Sequence, residues 1–116
     1  MSAGFEEAAH LDKLVHEPAR LAILTALEAC VNADFLFLQR LTGLTAGNLS
    51  AHLGKLEDGG LVKIEKRFVG RVPKTRIAVT QAGRAAVKRH WRGLKRLQQS
   101  GAELRTEQRR AVPEPG

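Results

Sequence analysis

Apolar positions change their spacing along the chain, and each change marks a predicted element. Leu21, Ile23, Leu24, Leu27 and Val31 recur on one side at helical period. Pro18 suits the first position of that helix, where its missing N–H costs nothing. Upstream, Phe5, Ala8, Ala9, Leu11, Leu14 and Val15 fall near the same period and predict a short amphipathic helix over 5–15. Asn32-Ala33-Asp34 breaks the pattern, and Asp34 is a good N-cap for the next element. The run Phe35 to Leu41 fits strand or helix by periodicity alone. Its sequel decides for helix, because Gly43 suits the left-handed residue that ends one and Thr45 suits the N-cap of the next.

From Thr45 to Asp58, Leu49, Leu53 and Leu56 form one tight stripe facing a core, and Gly59-Gly60 ends the helix. Val62, Ile64 and Phe68 then alternate with polar neighbours, as in a strand with those three turned inward, a base-stacking role being the alternative for Phe68. Val69 to Lys74 reads as a turn-rich tip, and Thr75 to Val79 returns with Ile77 and Val79 on one side. Thr80 caps a final helix whose stripe is Val87, Trp91, Leu94 and Leu97, with room to continue to Leu104. Residues 106–116 carry two prolines and no apolar period, and read as a flexible tail. The fold class is mostly α with a small β-hairpin (α+β), a single domain over 1–105 without internal repeats.

Composition narrows the function classes. The chain has 116 residues, enough for one core, and a net charge of +7 that favours a polyanionic partner, nucleic acid or an anionic membrane surface. The charge is uneven: residues 1–34 carry −4, 35–62 balance, 63–76 carry +5 and 77–116 carry +6. The last block reads equally as a solvated face. The block at 63–76 flanks the turn between two strand-like runs. A single cysteine, Cys30, excludes an internal disulfide and is expected to be a small buried hydrophobe at the end of an apolar helix, a redox-sensing thiol being the alternative. No apolar run approaches the roughly 18 residues of a membrane span. The start MSAGFEEAAH lacks the basic region of a secretory signal, so a soluble, cytoplasmic protein without a membrane partner is expected.

The order helix, helix, helix–turn–helix, basic hairpin, helix carries a family resemblance. Leu14 to Leu21, Phe37 to Leu41, Leu44 to Val62 and Thr80 to Arg84 resemble the winged helix–turn–helix transcriptional regulators, in particular small MarR/ArsR-like winged helix DNA-binding domain proteins. The most specific part is Asn48-Leu49-Ser50, His52-Leu53, Leu56 and Gly60-Leu61-Val62, and the likeness spans roughly residues 10–92. It implies a winged helix that dimerises through its terminal helices and regulates transcription on double-stranded DNA.

A recognition helix needs an apolar face to hold it and an opposite face of small and polar residues to enter the major groove. With Leu49, Leu53 and Leu56 inward, the outward arc holds Gly47, Asn48, Ala51, Gly54, Lys55 and Asp58, with Ser50 on its flank. Asn48 is placed to pair with an adenine and Lys55 to reach a phosphate, as are the N–H groups near Thr45. For Asn48 and Ser50 the bland reading is a local cap or turn contact. His52 beside the leucine stripe is either a packing residue or a DNA contact, and Asp58, being negative, falls beyond the footprint. Lys66, Arg67, Arg71, Lys74 and Arg76 surround the hairpin tip, with Arg71 the choice for the minor groove. Solvated charges blunting an exposed hairpin edge are the alternative. The family implies a dimer through the terminal helices, here Phe5, Leu11, Val87, Trp91, Leu94 and Leu97, with recognition helices about 34–36 Å apart. The same stripe could instead pack back on residues 5–15 of its own chain.

Enzymatic chemistry is not expected. Ser50 and His52 point to different helix faces, His16–Glu17 has no nucleophile nearby in sequence, and no phosphate-loop, dinucleotide, zinc-protease or nucleophile-elbow motif occurs. Metal sensing needs clustered soft ligands, and the chain offers Cys30 and the scattered His10, His16, His52 and His90. No cofactor or metal is expected, a cross-dimer site of His10 and His90 being the one arrangement left open. Any small-molecule effector is unknown. The other readings of the fold are a protein-interaction module and a non-specific nucleic-acid-binding protein.

Overall fold

Each helix begins where a side chain can replace the backbone partners that a first turn lacks. The computed structural model describes residues 4–5, 12–30 and 32–111. Among these the order is α1 (Pro18–Cys30), β1 (Asn32–Asp34), α2 (Phe35–Thr42), α3 (Ala46–Asp58), β2 (Val62–Val69), β3 (Val72–Val79) and α4 (Gln81–Ala111). Asp34 caps α2, its carboxylate accepting from the Phe37 N–H at 2.7 Å. Thr45 caps α3, its hydroxyl accepting from the Asn48 N–H at 3.1 Å. Between them Gly43 takes φ 70° and ends α2. The expected helix–turn–helix is therefore built with the expected residues.

The sheet order is β1-β3-β2, all antiparallel. β1 is the short segment whose sequence reads as an interruption. It adds to the outer edge of β3 in the register Asn32↔Ala78, Ala33↔Ile77 and Asp34↔Arg76, and only Ala33 turns inward. Ile23, Leu24 and Leu27 of α1, Leu38 of α2, Leu49, Leu53 and Leu56 of α3, Ile77 of β3 and Val87 of α4 form the buried core. Each such side chain withdrawn from water contributes about 1.5–3 kcal/mol. This one core sets α3 against the hairpin next to it.

Several expectations are corrected. Phe68 is 74% exposed rather than inward, because the hairpin projects past the core after Ile64 and Ile77. The tip is a two-residue reversal, Gly70-Arg71, shorter than the predicted 69–74. Cys30 is exposed, since α1 ends beyond the last turn that the core covers. Val87 is buried in its own domain and so is not part of an exposed pairing stripe. Asp12 to Val15 form a turn, with the Asp12 carbonyl accepting from the N–H groups of Val15 and His16. The rest of the helix predicted over 5–15, including Leu11, lies mostly outside the described residues, as do His10 and Val31. Gly4 and Phe5 are helical, and Gly4 lies against the Arg96 backbone and Ser100 of α4. α4 continues to Ala111 instead of fraying at 106.

Candidate nucleic-acid interface

α3 presents the outward arc that its leucine spacing implies. Thr45, Gly47, Asn48, Ser50, Ala51, Lys55 and Asp58 are all exposed, opposite the buried Leu49, Leu53 and Leu56. Gly47 has open space where a Cβ would stand, so its surface is free to approach another molecule closely. Thr45 satisfies the Asn48 N–H, whereas helix geometry leaves the N–H groups of Ala46 and Gly47 without intrahelical partners. The first turn thus offers two aimed donors at the positive end of the helix dipole.

His52 faces the other way. Its Nδ1 lies 3.6 Å from Glu17 Oε2, and the same carboxylate oxygen accepts from the Arg20 N–H at 2.8 Å. Burial opposes ionisation of Glu17, but the Arg20 and Ala19 N–H groups, then the charges of His52 and Arg20, outweigh it and hold the carboxyl below its ordinary range. His52 therefore sits between α3 and the head of α1, which matches the packing alternative of the two readings of this residue.

The hairpin divides its cations between two faces, because neighbouring strand residues point oppositely. The register pairs Ile64↔Ile77, Lys66↔Thr75 and Phe68↔Pro73 on the core-side face. Glu65↔Arg76, Arg67↔Lys74 and Val69↔Val72 occupy the other. Lys66, Arg67, Arg71, Lys74 and Arg76 are all exposed, so the proposed cluster exists as a collar around the hairpin rather than a single patch. Glu65 moderates it: Arg67 Nη2 donates to Glu65 Oε2 at 2.9 Å, and Lys63 Nζ stands 3.9 Å from the same carboxylate. The Arg67 hydrogen bond and its charge hold the Glu65 carboxyl below the ordinary range. Sequence reasoning counted Lys63, on the outer face, in the basic block but left it out of the site; it placed Phe68 in the core rather than against bases, and gave Val69 and Val72 no role beyond the turn. The signal for the tip was available: the alternation runs further than one small core can cover.

α4 carries a different kind of surface. Leu94 and Leu97 are half-buried, and Trp91 is exposed, its indole N–H donating to Thr25 Oγ1 at 3.3 Å. Phe5 is exposed beside the same helix. Beneath Trp91, His90 is 2% exposed, and its Nε2 lies 3.4 Å from His16 Nδ1. Burial, then the neighbouring His16, push the His90 pKa down. Past Gly101 every described residue of α4 is exposed, Leu104 included. Among the described residues no group of three or more His, Cys, Asp and Glu could hold a metal ion, and no helix is long and apolar enough to cross a membrane.

Comparison with known proteins covers the same parts of the chain. Residues 19–98 match the family described as winged helix DNA-binding domain. The solved structure of a transcriptional regulator homologue from Pyrococcus horikoshii OT3 is 34% identical, with a TM-score of 0.77 over 82% of this chain and 96% of that one. The HTH-type transcriptional regulator YgaV of Escherichia coli is 36% identical over 57% of this chain and 67% of its own. A MarR family transcriptional regulator from Silicibacter pomeroyi, 19% identical, shares the fold with a TM-score of 0.61 over 97% of this chain and 83% of that one.

Proposed function

Because the chain belongs to the winged helix DNA-binding domain family, we propose that it is a sequence-specific regulator of transcription that reads double-stranded DNA as a homodimer. The observation that carries this reading is the bare outward arc of α3, small and polar from Gly47 to Lys55, beside a hairpin collared by cations. On this reading α3 lies in the major groove, with Asn48 on a base edge, Ser50 and Ala51 beside it, and Lys55 on a phosphate. The N–H groups behind Thr45 meet a phosphate. Arg71, at the tip, reaches the adjacent minor groove, while Lys66, Arg67, Lys74 and Arg76 hold the backbone on either side. The protein acts by binding alone and catalyses nothing.

Pairing falls to α4. A helix exposed all round over its last turns is marginal by itself, and Trp91, Leu94, Leu97 and Leu104 supply an apolar ridge along its length. Gly4 lies against part of α4 within one chain, so packing back and pairing share the helix. The cytoplasm is the compartment this role requires.

A fluorescence-anisotropy titration at several salt concentrations tests the reading, comparing duplex from just upstream of the protein's own gene, then duplexes selected from a random pool, with shuffled duplex of equal composition. A preference of about 10³-fold or more is expected for selected sites. Equal binding to every duplex, collapsing together with salt, would replace the proposal with non-specific nucleic-acid binding. Absence of binding would leave a protein-interaction module.

A further inference from the structure

The hairpin ends in an apolar point that the domain's own stability does not explain. Phe68 is 74% exposed, Val69 61% and Val72 56%, and none belongs to the core or packs against it. Their arrangement is ordered. On the core-side face Phe68 stands opposite Pro73, and the next pair back is Lys66 and Thr75. On the other face Val69 stands opposite Val72, and the next pair back is Arg67 and Lys74. Gly70, at φ 65°, and Arg71 close the turn. Both faces therefore run from an apolar pair at the end to cationic side chains one step behind.

We propose that this tip is a wedge for the minor groove of duplex DNA, in which Phe68 presses against a base step and the deoxyribose walls while Lys66, Arg67 and Lys74 hold the flanking phosphates. The inference rests on the DNA-binding reading and adds to it a residue without charge and a deformation of the DNA. The cationic collar selects the occupant, because an apolar point ringed by positive charge suits a polyanion with an apolar interior edge. Size supplies the consequence. A two-stranded ribbon has strands about 4.8 Å apart before its side chains are added, whereas the minor groove of B-form DNA is about 6 Å wide. The tip fits only a groove that has been opened, and apolar wedges that open it kink the duplex by about 20–90° toward the major groove. Sites should then favour a flexible pyrimidine–purine step beneath the wing.

The test uses the full chain and the duplex it selects from a random pool, labelled at both ends so that energy transfer reports the bend. Phe68→Ser should weaken binding about tenfold, straighten the duplex and leave the salt slope unchanged, since no phosphate contact is lost. Phe68→Leu should restore most of the bend. Because Phe68 is exposed, the thermal midpoint of the free variant should match that of the wild type. If Phe68→Ser binds and bends the duplex as the wild type does, the wedge is wrong while the DNA-binding reading stands. If the variant changes only the sedimentation of the free protein, the tip is a protein contact and the wedge is again wrong. If the wild type selects no duplex at all, the reading beneath it fails first and takes the wedge with it.

Discussion

Asn48 and Arg71 are both exposed and polar, yet they should fail in different ways. On the proposed reading, Asn48→Ala should cost about 1–3 kcal/mol only at particular base pairs, because an amide paired with a base edge carries sequence information. On the same reading Arg71→Ala should weaken all duplexes nearly alike and lower the salt slope by about 1, because it removes a positive charge from the minor groove, between its phosphate walls, without removing a base-edge pair. Titrating both variants against selected and shuffled duplex checks this; equal losses on every sequence would reverse the assignment of roles. His90 makes a prediction about stability. Burial first, and His16 second, lower its folded pKa from the ordinary 6.5, so on acidification the unfolded chain takes up the proton before the folded one. Stability should hold above about 6.5 and fall progressively as pH drops through that value toward the folded pKa. Thermal melts across pH 7.5 to about 5 should show this decline, and His90→Gln should flatten it. His16 and His90 are far apart in sequence, and no local pattern announces that they touch.

At the scale of elements, Thr80 joins three of them. Its hydroxyl accepts from the Gly83 N–H at 3.0 Å and donates to the Gly60 carbonyl at 2.7 Å, while its own N–H donates to the Leu61 carbonyl at 3.0 Å. The cap of α4 thus also fixes the turn that leads out of α3 into β2. Thr80→Ala should lose about 1–2 kcal/mol in denaturant unfolding, the cap plus an unsatisfied carbonyl, and Thr80→Ser should recover most of it. Three residues on, a Cβ at Gly83 would collide with the Leu61 carbonyl oxygen, a backbone atom that cannot swing aside. Gly83→Ala should therefore destabilise by about 1–3 kcal/mol, read from the same unfolding curves. The caps at Asp34, Thr45 and Thr80 were legible because capping is local chemistry between residues three apart. β1 was not legible, since three residues with one inward alanine become a strand only when β3 supplies an edge.

Across the whole molecule, α4, 31 residues and about 46 Å long, outruns the core it packs on. Deleting the chain from residue 102 onward removes the exposed helix of 102–111 and should leave the unfolding midpoint of a dilute monomer nearly unchanged. On the proposed pairing through α4, it should shift sedimentation equilibrium toward monomer and weaken binding to the selected duplex, because two half-sites would no longer be held together. A truncated chain that stays dimeric would place the pairing surface elsewhere, for instance on Phe5 and Trp91 alone. Local rules determined the helix–turn–helix, its caps, the leucine stripe of α3 and the cationic hairpin, since each depends on spacing within a few turns or across one reversal. Only the tertiary structure decided which apolar residues those elements bury. Val87 and Phe68 are alike as apolar positions in periodic segments, but one core of limited size covers the first and leaves the second in solvent. Burial depends on how far each element extends past that core, a distance that no local period records.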